Sequence, residues 1–192
     1  METRLYMVRH AESPFVFGEE KSRGLSEQGN KDAARVAETL RGVDVHYIAS
    51  SSYARAVQTV EPLARLKNLP IVTYDALRER PIKGLDRKAS WETLVAAIEK
   101  SFDDVDYALE GGETTREAQR RAIPVIEQLL ADYAGKHIVI GTHGNIMTAM
   151  MHYYDRRYGF AFWKRTTKPD IYEMAFKGSE LTGIRRLWSD SP

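Results

Sequence analysis

The sequence predicts an α/β fold: a mixed, mostly parallel sheet with helices on both faces. Three observations carry that prediction. Short apolar runs end in charged or polar residues, stretches of helical period alternate with them, and a hairpin pattern comes near the end of the chain. The 192 residues hold 28 Lys plus Arg against 27 Asp plus Glu, with 43% hydrophobic residues and no cysteine. At ~100–200 residues per domain this is the length of one domain, taken as 1–192. Without a thiol there is no disulfide framework, no Cys-ligated metal site and no cysteine nucleophile. The longest apolar runs are far short of the ~18 residues of a membrane-spanning helix. Met1-Glu2-Thr3-Arg4 carries no signal-peptide core, so the expected compartment is the cytoplasm, with no membrane partner. A net charge of +1 gives no drive toward nucleic acid.

Leu5-Tyr6-Met7-Val8 is a short apolar run closed by charge, which reads as a buried strand. Val45 to Ala49 and Ile138 to Ile140 read alike. Between the first two, Ser26 is an N-cap, Ala33, Val36, Ala37 and Leu40 fall at helical spacing, and Gly42 lies just past the end. Ser90 caps a second helix whose stripe is Trp91, Leu94, Val95 and Ile98. Thr114-x-x-Glu117 is a capping box opening a long helix, with Ala118, Ala122, Val125, Ile126 and Leu129 on its buried face and Gly135 at its end. Pro124 is expected to kink it. Ile146 to Tyr154 is helical again, with Met147, Met150 and Met151 as core. Ile171 to Phe176 and Leu181 to Leu187, joined by Lys177-Gly178-Ser179-Glu180, form a hairpin. The aromatic run Tyr153, Tyr154, Tyr158, Phe160, Phe162 and Trp163 is either core or the interface of a homodimer.

Ligands of open α/β sheets bind outside the carboxyl ends of the strands. Three strand exits carry chemistry: Arg9-His10-Ala11-Glu12-Ser13, Ser50 to Arg55, and Thr142-His143-Gly144-Asn145. In a parallel sheet they bring two histidines and two arginines to one edge. Guanidinium forks bind phosphate oxygens, imidazolium adds a charge-assisted bond, and amides at a helix start after Asn145 or Ser51 add partial positive charge. Arg55, Gln58 and Thr59 share one helical face. His46 and His137 fall at strand entrances, on the opposite edge, and His152 lies inside a helix. The chain has no Gly-rich nucleotide loop and no His-Glu-x-x-His. Asp103-Asp104-x-Asp106 reads as a solvated acidic loop.

These segments carry a resemblance. Leu5 to Ser13, with Arg9-His10-Ala11-Glu12-Ser13, resembles the opening motif of the histidine phosphatase superfamily, the phosphoglycerate mutase-like three-layer fold. In chain order, Leu25-Ser26-Glu27-Gln28-Gly29, Ser51 to Thr59, Leu77-Arg78-Glu79, Gly112-Glu113-Thr114 and Thr142-His143-Gly144-Asn145 resemble its later motifs, and together they span residues 5 to 145. The departures are Ala11 where the family has Gly and Ser52 where Pro is common. Ala11 brings an extra methyl toward the phosphate or demands negative φ.

The resemblance implies a phosphohistidine on His10, phosphate oxygens held by Arg9, Arg55 and His143, and Glu79 as proton donor and then base. Gly144 and Asn145 complete the phosphate-binding segment. Neither metal nor cofactor is implied. Arg78 and Arg80 would disfavour a protonated Glu79 if they point at it. Glu113 is read as a site acid or only a charge favouring the helix dipole. Val16 stands where family mutases usually have Asn, and the segment after Glu79 is short, so a phosphatase of small phosphorylated metabolites is preferred. A phosphoglycerate-type mutase and a non-catalytic phospho-ligand-binding protein are the alternatives. The apolar rim Pro14-Phe15-Val16-Phe17 favours a substrate with apolar bulk, or simply packs. Further rim candidates are Phe15 to Glu20, Pro81 to Lys88 and Phe102 to Glu110.

Overall fold

A computed structural model describes residues 1–191. In chain order the elements are β1 (Glu2–Arg9), α1 (Glu27–Thr39), β2 (Tyr47–Ser51), α2 (Ala54–Lys67), β3 (Ile71–Tyr74) and a 3-10 turn (Asp75–Leu77). They continue with α3 (Trp91–Asp103), α4 (Thr115–Asp132), β4 (His137–Thr142), α5 (Gly144–Tyr154), α6 (Phe160–Arg165), β5 (Asp170–Lys177) and β6 (Glu180–Arg186). The six strands form one sheet in the order β3-β2-β4-β1-β5-β6. The first four run parallel, and β5 and β6 pair antiparallel. Leu5 lies opposite Ile138 and Arg9 opposite Thr142, so β1 and β4 end level and release His10 and His143 side by side.

Strand periodicity explains the layering. Leu5 and Met7 face a core shared with Ile126 of α4 and Met147 of α5, while Tyr6 and Val8 face one shared with Val36 of α1 and Leu63 of α2. A strand apolar on both faces must be covered on both, as the uninterrupted run Leu5 to Val8 requires. Met147, Met150 and Met151 are all buried. A third cluster of Ile82, Ala97, Ile98 and Phe102 sits beneath α3, with Phe160 and Trp163 packed against it.

Ser26 and Ser90 cap α1 and α3, accepting from Gly29 and Thr93, and Thr114 with Glu117 forms a reciprocal capping box on α4. Elsewhere the helix ends vary. α1 ends at Thr39 and Gly42 does not adopt positive φ, because Leu40 is drawn into the core and Lys67 ties the turn by donating to the carbonyls of Arg41 and Val43. Gly135 does take the left-handed conformation, φ 76°, in the turn after α4. α4 continues through Pro124 as one helix. The expected stripe of α3 packs only in part: Ile98 is buried and Leu94 packs against the cluster, but Trp91 is 68% exposed, and Ala97 and Phe102 join the buried face. The helix rests on the small third cluster, and its first turn projects beyond it. Within the aromatic run, Phe162 is buried, Tyr154 and Tyr158 pack on the sheet core, and Tyr153 stays largely exposed.

Candidate active site

The carboxyl edge of the sheet gathers the site. The His10 amide donates to the Thr142 carbonyl at 2.9 Å, extending the β1–β4 ladder one residue and fixing the backbone that carries the ring. His143 follows β4 at once and occupies the N-cap position of α5 with an extended backbone. Their rings meet edge to face with centroids 5.3 Å apart, and both residues are buried. His10 Nδ1 lies 2.7 Å from the Ala11 carbonyl. A carbonyl only accepts, so Nδ1 carries the proton and Nε2 of the neutral ring keeps its lone pair. His143 Nε2 lies 2.8 Å from Ser51 Oγ, and its Nδ1 is buried without a partner.

Both imidazoles are held well below the usual histidine pKa, by burial first and then by the Arg55 charge; Arg9 adds to this for each ring. The charge-assisted bond expected of imidazolium is therefore disfavoured in the free protein, and the neutral ring is favoured. That is the state a nitrogen nucleophile requires.

Around the rings stand four cationic side chains. Arg9 closes β1; its Nη1 donates to the hydroxyl of Thr166 at 2.5 Å, and its guanidinium lies against Gly144, where a Cβ would come within 2.6 Å of Cζ. Gly144 is thus required by close approach. Arg55, buried in the first turn of α2, donates from Nη2 to Glu20 Oε1 at 2.5 Å and from Nη1 to the Glu20 carbonyl at 2.6 Å. Arg23 donates to the Ser13 carbonyl, with Nε 3.8 Å from Glu20 Oε2. The Lys168 ammonium is held below the usual lysine value by desolvation and then by Arg9 and Arg23. The Nε atoms of Arg9, Arg23 and Arg55 are buried without partners, as is Nδ1 of His143. Buried polar groups are nearly always satisfied, so four such nitrogens in one cluster, three of them cationic donors, mark a place for an anion.

Glu79 follows the 3-10 turn. Its carboxylate accepts from the amides of Asn145 at 3.1 Å, Ile146 at 2.7 Å and Arg80 at 2.9 Å, which fixes it at the start of α5 beside His143. The Asn145 and Ile146 amides therefore serve Glu79. The Asn145 side-chain oxygen accepts from Arg80 Nε at 3.0 Å, so this residue is engaged within the protein at both ends. The Arg80 guanidinium runs away from Glu79 to Asn145, Thr115 Oγ1 and Ser101 Oγ, and burial pushes its pKa down to about 10. Arg78 turns to Asp75. Glu113 forms a two-bond pair with Arg121, at 2.8 and 2.7 Å, and Arg121 also donates to the carbonyls of Ala76 and Glu79. It braces the Glu79 segment and has no hydrogen bond to either site histidine.

Ala11 is buried and has no positive φ; its amide donates to Thr59 Oγ1 at 3.0 Å, so the methyl is accommodated without left-handed strain. Ser52 donates to Asp75, tying β2 to the turn before Glu79. Phe15 is 71% exposed, and Val16 and Phe17 are exposed beside it. His46 and His137 lie at the other end of the sheet, and His152 Nδ1 donates to the Tyr158 carbonyl. Asp106 pairs with Arg116 in an exposed acidic loop. Among the described residues, no group of three or more His, Asp or Glu side chains is placed to hold a metal ion, and no helix is long and apolar enough to cross a membrane.

Sequence reasoning did not reach Ser51 as the partner of His143, nor Thr166 and Lys168. The last two arrive from the segment between α6 and β5, where no periodic pattern or motif flags them.

A three-layer α/β fold whose sheet edge presents a neutral imidazole among buried guanidinium groups defines a phosphoryl-transfer enzyme of the histidine type. The model of the histidine phosphatase superfamily (branch 1) matches residues 5–180, and the chain belongs to that superfamily. A glucosyl-3-phosphoglycerate phosphatase of Mycolicibacterium vanbaalenii is 25% identical, over 77% of this chain and 72% of its own length. A metal-independent phosphoserine phosphatase of Arabidopsis thaliana is 28% identical, over 77% and 67%. A phosphoglycerate mutase of Candida albicans is 27% identical, over 79% and 77%. The solved structure of a mycobacterial glucosyl-3-phosphoglycerate phosphatase superposes with TM-score 0.75 at 22% identity, covering 97% of each chain.

Proposed function

We propose that this enzyme is a phosphomonoesterase that hydrolyses small phosphorylated metabolites through a phosphohistidine on His10. The observation that carries the reading is the neutral, carbonyl-anchored His10 ring within a buried cluster of unpartnered arginine nitrogens. Nε2 of His10 attacks phosphorus as the ester P–O bond breaks, while Arg9, Arg55 and His143 carry the charge of the non-bridging oxygens. Glu79, oriented by three amides, takes up the proton that the phosphate monoester brings into the site and passes it to the leaving alkoxide. Water then attacks the phosphohistidine, Glu79 takes its proton, and the P–N bond breaks to release inorganic phosphate. Ser51, bonded to His143, and the Glu113–Arg121 pair act as positioning residues.

The test is steady-state phosphate release from p-nitrophenyl phosphate by wild type and His10→Ala. Activity in the first and its loss in the second support the reading; equal inactivity of both refutes it. Conversion of 3-phosphoglycerate to 2-phosphoglycerate without free phosphate would assign a mutase instead. A chelator is expected to leave phosphate release unchanged.

A further inference from the structure

Beside the phosphate cluster lies a cleft of about 530 Å³ whose lining includes Arg9, Trp91, Val95, Ala96, Trp163 and Thr166. We propose that this cleft is the alcohol subsite, and that it selects phosphomonoesters whose alcohol part is a flat, uncharged aromatic or similarly broad apolar group. The inference rests on the phosphatase reading and specifies its substrate class.

Three features support it. First, the cleft adjoins the phosphate cluster: Arg9 lines it, and Thr166, which holds Arg9 Nη1, forms part of the same wall. The ester group of a phosphate held by Arg9 therefore has the cleft beside α3 and α6 within reach. Second, an apolar strip of Trp91, Val95, Ala96 and Trp163 runs between the charged residues of the lining. Trp91 leaves most of its indole in water while its ring centroid lies 6.3 Å from that of Trp163, tilted by 38°. At that spacing the two rings already touch, so a ligand ring stacks on the exposed indole face and is not sandwiched between them. Burying an aromatic face is worth far more than holding it in water, and such sites use one broad apolar wall with a few polar anchors. Third, the charges lining the cleft are mixed: Arg9 is shared with the phosphate cluster, and the other four, Glu92 and Glu99 on α3 against Lys164 and Lys168, balance, so no single sign awaits a second ionic group. The cleft volume far exceeds that of a phosphate and falls in the range of ~300–1,000 Å³ typical of small-molecule sites.

The experiment compares 1-naphthyl phosphate with glycerol 2-phosphate on wild type, Trp91→Ala, Trp163→Ala and Trp163→Phe. The expected result is a loss of about tenfold in kcat/KM for the naphthyl ester in both alanine variants, mainly through KM, with the glycerol ester within about twofold and Trp163→Phe close to wild type. Equal losses on both substrates, or none on the naphthyl ester, overturn the subsite. If wild type cleaves neither ester, the phosphatase reading fails, and the cleft is judged by calorimetry. Tighter binding of 1-naphthyl phosphate than of inorganic phosphate, lost in Trp91→Ala, supports it; equal affinities overturn it.

Discussion

β4 has a histidine at each end, paired with one after β1 at the carboxyl edge and with one before β2 at the amino edge, and the two pairs differ in their surroundings. His10 and His143, with centroids 5.3 Å apart, leave the carboxyl ends of β1 and β4; His46 and His137, 6.1 Å apart, stand at the opposite edge. Spacing does not separate them; surroundings do. The first pair is buried among Arg9, Arg23 and Arg55, with Glu79 alongside. The second is partly exposed, with His137 bonded to the Tyr6 hydroxyl and His46 3.5 Å from Asp44. A parallel sheet gathers helix N-termini and loops at its carboxyl edge, so cations and amides converge there, while its amino edge gathers helix C-termini whose free carbonyls do not favour an anion.

Substitutions at each pair put that contrast to the test. The largest effect is expected at the nucleophile: His10→Ala lowers kcat by about a thousandfold or more, while His46→Ala and His137→Ala stay within about twofold, measured by phosphate release. Next comes Glu79→Gln, which keeps an acceptor for the amides but has no proton to give. A loss of about a hundredfold is expected on an alkyl phosphate and much less on p-nitrophenyl phosphate, whose leaving group needs no acid. Glu20→Gln removes the carboxylate that holds Arg55 and neighbours Arg23, and is expected to tighten inhibition by inorganic phosphate about threefold to tenfold.

The smallest effect is on stability. Each site histidine has a native pKa below its unfolded value near 6.5, so below that pH the unfolded chain binds protons that the native protein does not. Stability is full above about pH 6.5 and falls as pH drops, by up to about 1.4 kcal/mol per pH unit for each ring. Urea melts from pH 7 to 5 should show a flatter acid limb for His143→Asn than for wild type.

Much of the carboxyl edge was legible in sequence because strand exits are punctuated by charge after an apolar run. Arg9, His10, Arg55 and His143 could be placed there before any coordinates. Local capping chemistry at Ser26, Ser90 and Thr114 was equally readable, since it is decided within four residues. What depends on contacts distant in sequence was not. Glu79 is held by residues 66 and 67 positions later, and Arg9 by a threonine 157 positions away. The exposed position of Trp91 escaped for a related reason. Periodicity identifies an apolar stripe but not which part of the helix meets a partner, and α3 packs from Leu94 onward while Trp91 stands clear. β3 and α6 are too short, at four and six residues, to show a period.

His10 is expected to carry the phosphoryl group between the two steps. Rapid-quench labelling of the enzyme with a 32P-labelled phosphomonoester tests it most directly. The expected result is an acid-labile, base-stable label approaching one phosphate per chain, mapped to His10 and absent from His10→Ala. Turnover without such a label, or a label that persists in His10→Ala, would contradict the account.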